Sequence, residues 1–434
     1  MIPPLRQQFN ASWSERGYRD LIARLETLTG ATLGFPISET PCFFPRSLMD
    51  ELSATGLELV GQILDHPGAR AAALAAVPDR FNGPNAEAQP TFLQVDFGLV
   101  RGPAGAIEPK LVELQAFASL YGFQLAVAEA YREAFALDSS LDLCLAGLPA
   151  AQYHDLVGQA LLNGHDPKHV VLMEIEPRQQ KTWPDFVVTE QMWGVRAVDT
   201  SAIEREGRRL FYRRDGQLTP IARIYNRVIP DELERKNVPL PFDYRDDLDV
   251  EWAGHPSWYF QISKFSIPWL KHRSVPETTF LHQLDRLPAD RDRYLLKPLF
   301  SFAGGGIIFA PTDAQIAAIP ADQRSNYILQ ERIQFEPVIQ TPEGPTQAEI
   351  RIMYVRSGDR FRPVLPLIRM GRGKMMGVDH NKGLRWVGAS AGLIANGQSP
   401  ATEKGSGIFS SETPLEMAAN SALTVIPGKI SGGL

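Results

Sequence analysis

Residues 294–309, YLLKPLFSFAGGGIIF, combine a lysine, a proline and three consecutive glycines. A short apolar strand delivers Lys297 to its end, and Pro298 helps to break the ladder there because it has no N–H. Gly304, Gly305 and Gly306 let backbone N–H groups approach an anion with no Cβ in the way. The ammonium of Lys297 adds a point charge suited to phosphate oxygens. The chemistry that this spacing allows is a phosphate grip. It is not a P-loop, since GxxxxGK[ST] is absent. The competing reading is a plain strand and flexible hairpin with a solvated lysine.

Two other stretches carry groups that suit a reaction at phosphate. In AEIRIMYVRSGDRFRPVLPLIRMGRGKMMGVDHN, residues 348–381, Arg351 and Arg369 sit in apolar strands. An arginine at a strand end can hold a transferring phosphoryl group with two parallel hydrogen bonds. In VDFGLVRGPAGAIEPKLVELQAF, residues 95–117, Asp96 is followed by a glycine-containing loop and then Glu113-x-Gln115. Strand alternation puts Glu113 and Gln115 on one face, and a hairpin can bring Asp96 beside them. Two carboxylates and an amide oxygen suit Mg²⁺, which takes oxygen ligands and shares them with substrate phosphates. Glu113 lies inside the apolar run LVELQAF, where a carboxylate needs a partner. Asp379-x-Asn381 is a second candidate for the metal. Asn226 and Arg227, with Arg178 and Lys181, stand beside strands and could contact substrate, or serve as turn and cap residues.

The elements that position these groups follow from periodicity. Residues 1–90 read mainly as helix, as in Tyr18–Leu28 and Leu48–Leu64. Residues 91–98 and 110–115 form a hairpin, and Ala116–Leu137 reads as helix. Residues 169–176, a helix, then GVRAVD suggest a small α/β layer, to which 209–213 and 221–229 add strands. The polar, Pro-rich stretch 230–256 looks like a linker or excursion. Strands follow at 293–299, 307–309, YILQERI, EIRIMYV and RPVLPLIRM, with a helix near 313–318. The tail contains one expected helix, Leu415–Leu423.

At 434 residues the chain is long enough for two to four domains. With 44 basic and 50 acidic residues it has no general electrostatic pull on nucleic acid or anionic membrane, so a bound anion needs a local site. Its two cysteines, Cys42 and Cys144, lack CxxC spacing and suggest buried free thiols in a reducing compartment. No run approaches 18 apolar residues, and the polar start does not read as a signal peptide. A cytoplasmic protein that meets neither membrane nor nucleic acid is expected. No HExxH or GxSxG occurs, and MGRGKMMG lacks the helix that a dinucleotide fingerprint requires.

The order of the motifs resembles the ATP-grasp superfamily. A lysine, a Val-Pro-x-Thr-like element (SVPETTF), strand-Lys-Pro followed by three glycines, and an apolar strand ending in Gln-Glu recur there in this sequence. The resemblance covers roughly residues 91–125 and 257–392. It implies that Lys264 and Lys297 contact nucleotide phosphates, with Lys271 a competitor for Lys264, and that Gln330 and Glu331 form the hinge that meets adenine. Lys297 and Glu331 lie 34 residues apart, as that family's spacing suggests. Residues 348–381 resemble the segment after the hinge in glutathione synthetase-like ligases, which implies that Glu349, Arg351, Arg369 and Asn381 face the reaction centre.

With the metal strands first and the lysines last, the order is similar to the circularly permuted type, such as glutathionylspermidine synthetase. It implies a multi-domain α/β (α+β) fold. Residues 1–150 would hold a helical part and the metal hairpin. Residues 151–256 would be a substrate layer, 257–395 the nucleotide-binding subdomains and 396–434 a tail. The implied activity is ATP- and Mg²⁺-dependent joining of a small-molecule or peptide carboxylate to an amine, releasing ADP. Two departures bear on this. Gln115 stands where that family has Asn, and Gln94 stands where the synthetase has Arg, so that Arg101 or Arg369 would have to compensate. A kinase forming a phosphoester and a non-catalytic nucleotide-binding protein are the alternatives.

Overall fold

The computed structural model describes residues 2–301, 304–381 and 383–396, and of Val378 and Asp379 only the backbone. The expected helix Leu415–Leu423 lies outside the described residues, as does the Asp379 side chain. Strands β1 (Cys42–Pro45), β2 (Phe92–Arg101) and β3 (Ile107–Gln115) come first. Then follow β4 (Val170–Glu174), β5 (Arg196–Asp199), β6 (Glu204–Glu206), β7 (Arg209–Arg214), β8 (Gln217–Ile221), β9 (Arg223–Asn226) and β10 (Glu251–Ala253). The last third carries β11 (Thr278–Phe280), β12 (Tyr294–Pro298), β13 (Ile308–Phe309), β14 (Tyr327–Glu331) and β15 (Ile339–Thr341). It ends with β16 (Gly344–Ser357), β17 (Arg360–Gly371) and β18 (Gly388–Ala395).

The largest sheet runs β1-β18-β17-β16-β2-β3, with β15 on β16. It therefore joins the two ends of the described chain: β2 pairs antiparallel with β16, and β1 pairs parallel with β18. One face carries Val95, Phe97, Ile350, Ile352 and Ile368, buried with Met49, Leu52 and Leu59 of the helix Arg46–Leu64. Part of the other face is covered by the helix Phe123–Ala134, and the rest is polar.

A second sheet, β10-β9-β4-β5, is wholly parallel. The chain goes from β4 to β5 through the helix Trp183–Trp193 and then returns to β9 on the opposite side of β4. Strand order therefore reverses between β4 and β9. A third sheet, β11-β14-β12-β13, is antiparallel and carries the lysine strand β12 at its centre.

Local sequence accounts for much of this. The helix Glu15–Thr29 begins at Ser14, whose side chain accepts from Gly17 N–H, and ends at Gly30 in the left-handed conformation. Its buried residues Gly17, Leu21, Leu25 and Thr29 recur every four positions. The helix expected over Ala116–Leu137 starts only at Phe123. Before it, Ala116 N–H donates to Ile262 O and Leu120 has a φ of 64°. The excursion 230–256 also differs from expectation, because it contains the helix Pro230–Arg235 and the edge strand β10. Strands β1 and β18 were not anticipated; each is buried chiefly by contacts distant in sequence. Cys42 and Cys144 are buried free thiols. Among the described residues, no helix is long and apolar enough to cross a membrane.

One buried ion pair ties the parallel sheet to the helices. Arg227 Nη1 lies 2.6 Å from Asp185 Oδ2, and their side chains are 3% and 1% exposed. Asp185 also accepts from the backbone N–H groups of Leu120, Gly122 and Phe123, so it caps the helix Phe123–Ala134 from another element. Removing one partner of such a pair leaves an uncompensated buried charge. We expect Asp185→Ala to lower the unfolding free energy in urea by about 3–5 kcal/mol; a loss below about 1 kcal/mol, the range of an exposed pair, would contradict this reading.

Candidate functional site

The polar face of the large sheet gathers residues from four strands. The cross-strand partners are Gln94 with Gln115, Asp96 with Glu113, Arg351 with Asp96, and Glu349 with Arg369. Directly paired residues project to one side, so these seven side chains share a face. At the centre, the Asp96 side chain is 1% exposed. Arg351 holds it with both fork nitrogens, Nε to Oδ1 and Nη2 to Oδ2, each at 2.6 Å. Arg369 Nη2 also reaches Asp96 Oδ2 and pairs with Glu349 Oε1. The remaining nitrogen of Arg351, Nη1, donates to Gln94 Oε1 at 2.8 Å. Arg351 has thus committed its whole guanidinium, whereas Arg369 Nε has no partner among the described residues.

Burial alone would raise the Asp96 carboxyl, but the guanidinium groups of Arg351 and Arg369 outweigh it and hold Asp96 below the usual carboxylate range. Glu349 behaves in the opposite way despite its own ion pair. Burial pushes its carboxyl up to about 7, because the Arg369 charge that opposes this is shared with Asp96, which itself raises Glu349 further. Glu113 stands 3.9 Å from Arg351 Nη2 and is 30% exposed. The Gln115 amide atom facing the cluster lies 2.7 Å from Gln94 Oε1 and 3.0 and 3.2 Å from Arg351 Nη1 and Nη2.

Lys297 has the reverse character. It is 5% exposed and, among the described residues, its side chain makes no hydrogen bond or ion pair. Burial lowers its ammonium to about 8; Glu113 and Glu349 oppose this from within electrostatic reach, and Lys264 adds to it. Lys264 is buried and donates from Nζ to Ser301 O at 2.8 Å. Lys271, by contrast, is exposed. Of the two candidates, the fold therefore brings Lys264 to Lys297.

The glycine arm is built for close approach. Gly304 and Gly306 have φ of 75° and 72°. A Cβ on Gly304 would lie 2.5 Å from Met375 Cε, and one on Gly306 would lie 2.8 Å from Pro298 Cγ. The segment after β17 thus presses on the arm. Its Asn381 donates to Met375 O and Gly377 O and accepts from Arg372 N–H, so it staples that segment and does not reach the carboxylates.

Other expected residues fall elsewhere. Asn226 closes a local turn with Val228 and, like Arg227, belongs to the parallel sheet's C-terminal edge. Arg101 pairs with Glu336 near the surface and does not replace the arginine missing at Gln94; Arg369 does reach Asp96. Glu331 pairs with Arg293 at 2.6 Å. Gln330 is 1% exposed, and among the described residues neither polar atom of its amide has a partner. Such a buried orphan costs about 1–3 kcal/mol. Glu174 was not anticipated from sequence. It is buried at the end of β4, its carboxyl is pushed up to about 8 by burial, and its place inside the apolar run HVVLMEIE was the available signal.

Whether a magnesium ion fits Asp96, Glu113 and Gln115 follows from these contacts. The donors are hard oxygens, as the ion requires. Both Asp96 oxygens, however, already accept from guanidinium groups, and among the described residues no group of three or more His, Cys, Asp or Glu is set to hold a metal. As placed, the three residues do not fit the ion.

The fold is a mixed α/β arrangement of several sheets. It is similar to the structure of a glutathione synthetase-like effector from Globodera pallida, determined in its apo form. The TM-score is 0.53 at 12% identity, covering 87% of this chain and 98% of that one. No family profile and no curated protein matches the sequence.

Glu349 makes the cluster sensitive to pH. Its carboxyl titrates near 7 in the folded chain, against an ordinary value of 4.5. The folded state therefore binds the extra proton between these values, and stability falls as pH rises through that window. In Glu349→Gln this contribution is absent. Urea unfolding at pH 5 and pH 8 should show the variant gaining on the parent by about 1–3 kcal/mol at the higher pH, since one pKa unit is worth about 1.4 kcal/mol. Parallel pH profiles would contradict the assignment.

Proposed function

We propose that the chain is an ATP-dependent ligase that joins a carboxylate to an amine on a circularly permuted ATP-grasp framework. The observation that carries this reading is Lys297, a buried cation that pairs with no carboxylate among the described residues, beside Lys264 and bordered by the glycine arm. An uncompensated buried ammonium is costly unless an anion joins it. A polyphosphate is the anion that two lysines and a glycine arm suit.

The reaction then follows in two steps. A substrate carboxylate oxygen attacks the γ-phosphorus, the bond to the bridging oxygen breaks, and ADP leaves. The amine attacks the carbonyl carbon of the acyl phosphate, loses a proton and expels inorganic phosphate. Lys264 and Lys297 hold the phosphates. Arg369, a quarter exposed with one N–H free, stabilises the transferring group, while Arg351 keeps Asp96 in place. Catalysis of this kind is positioning and electrostatics and requires no nucleophilic side chain.

A second reading has its own observation. Because Asp96 is saturated by arginines, the chain could bind nucleotide without transferring phosphate. Phosphate release across pools of carboxylates and amines separates the two. The ligase reading expects ADP and phosphate only when both substrates are present; ATP binding with no release from any pool favours the second reading. A stable phosphoester instead of an amide would make the chain a kinase.

Two binding outcomes follow. Lys297→Ala should weaken ATP in calorimetry at least about tenfold, the range of a charged hydrogen bond; unchanged affinity would remove Lys297 from the site. At pH 8.5, where the free ammonium has partly lost its proton, a bound polyphosphate restores it. ATP binding should then take up protons, seen as a heat that depends on the buffer's ionisation enthalpy. No buffer dependence would show that the nucleotide does not meet Lys297.

A further inference from the structure

We infer that Phe335, seated on Gly98, is a positioning residue that sets the gap across which the polyphosphate meets Arg369. The inference rests on the nucleotide reading above. The phosphate grip and the carboxylate cluster stand on different sheets. Lys297 is on β12 of the third sheet, and Arg369 is on β17 of the large one. They face one another, since Lys297 is within electrostatic reach of Glu113 and Glu349. Beside Lys297 the sheets share an apolar cluster, to which Leu299 and Ile328 belong together with Leu114 and Ile350.

Beyond the end of β14 the chain crosses to the large sheet, and there Phe335 lies on Gly98. A Cβ on Gly98 would stand 2.7 Å from Phe335 Cε1 and 2.9 Å from Cζ. Only a glycine admits a neighbour this close. The backbone beneath the ring is fastened on both sides. Gln347 Nε2 donates to Phe335 O at 3.2 Å, and Glu336 N–H donates to Leu99 O at 2.7 Å. The Glu336 carboxylate also pairs with Arg101.

Phe335 is partly buried and, among the described residues, belongs to none of the apolar clusters. The ring therefore does not fill a core. Gly98 follows Asp96 by two positions on β2 and is directly opposite Glu349, so these three residues face the same way. Phe335 thus stands on the polar face, against the strand that carries Asp96 and beside the carboxylate that pairs with Arg369. A contact of this kind acts on distance rather than on charge. The phosphates nearest the nucleoside lie on the lysines of the third sheet, whereas the terminal one must cross to Arg369. Hydrogen bonds weaken steeply when stretched or bent, so a shifted joint would be felt first at the terminal phosphate.

The test is the preference for ATP over ADP, read by calorimetry on the full chain. The parent should bind ATP about tenfold or more tightly than ADP, the range of one charged hydrogen bond. Gly98→Ala puts a methyl group where the ring lies and should abolish the preference, while ADP binds as in the parent. Phe335→Ala should do the same without adding an atom to the sheet, so it decides the matter even if Gly98→Ala does not fold. Leucine ends short of the ring atoms that the methyl would meet, so Gly98→Ala combined with Phe335→Leu should regain the preference. A preference kept in either single variant would overturn the role of Phe335. So would a double variant that behaves like Gly98→Ala, because the methyl would then act on Glu349 directly. A parent that binds ATP and ADP equally also decides against it. If the parent binds neither nucleotide, the nucleotide reading itself fails.

Discussion

The arrangement depends on one carboxylate held between two guanidinium groups. Asp96 comes from the first quarter of the chain, and Arg351 and Arg369 from the last. Their pairing is possible only because β2 lies against β16 and β16 against β17. Burying three charges is expensive, and the cost is met only if each finds good geometry. The two-pronged grip of Arg351, with Gln94 taking its last nitrogen, meets that condition. Register at the centre of the sheet follows from it, since a one-residue slip would turn Asp96 to the apolar face.

Around this anchor the remaining charges are unequal. Arg369 divides itself between Asp96 and Glu349, so Glu349 is under-compensated and holds its proton to about neutral pH. Lys297 is under-compensated in the other sense and releases its proton more easily than an exposed lysine. Two buried groups of opposite sign, displaced toward each other's titration range, form a local field that an incoming polyanion would complete. Functional sites are where such perturbed groups cluster. The same account explains why Asp96 is a poor metal ligand here: its oxygens already serve two cations.

Much of this was legible in the sequence. The lysine strand, the glycine arm, the metal-like hairpin and the arginine strands were all placed near where the structure has them, because each has a local signature of alternation, proline or glycine. That Asp96, Glu113 and Arg351 would face one site was implied by the family resemblance. What they do on meeting was not. Whether a carboxylate faces a metal or an arginine depends on which side chain arrives from 255 positions away, and no local pattern encodes that. Asn381 likewise takes its partners from the carbonyls of its own loop, which no local pattern announces. The late start of the helix at Phe123 likewise reflects Asp185, which caps it from another element.

The most direct test of the central claim is a structure with a non-hydrolysable ATP analogue. Phosphate oxygens are expected within hydrogen-bonding distance of Lys297 Nζ, with the glycine arm closed over them and Asp96 still held by Arg351. Phosphates bound away from Lys297, with its ammonium left without an anion, would contradict it.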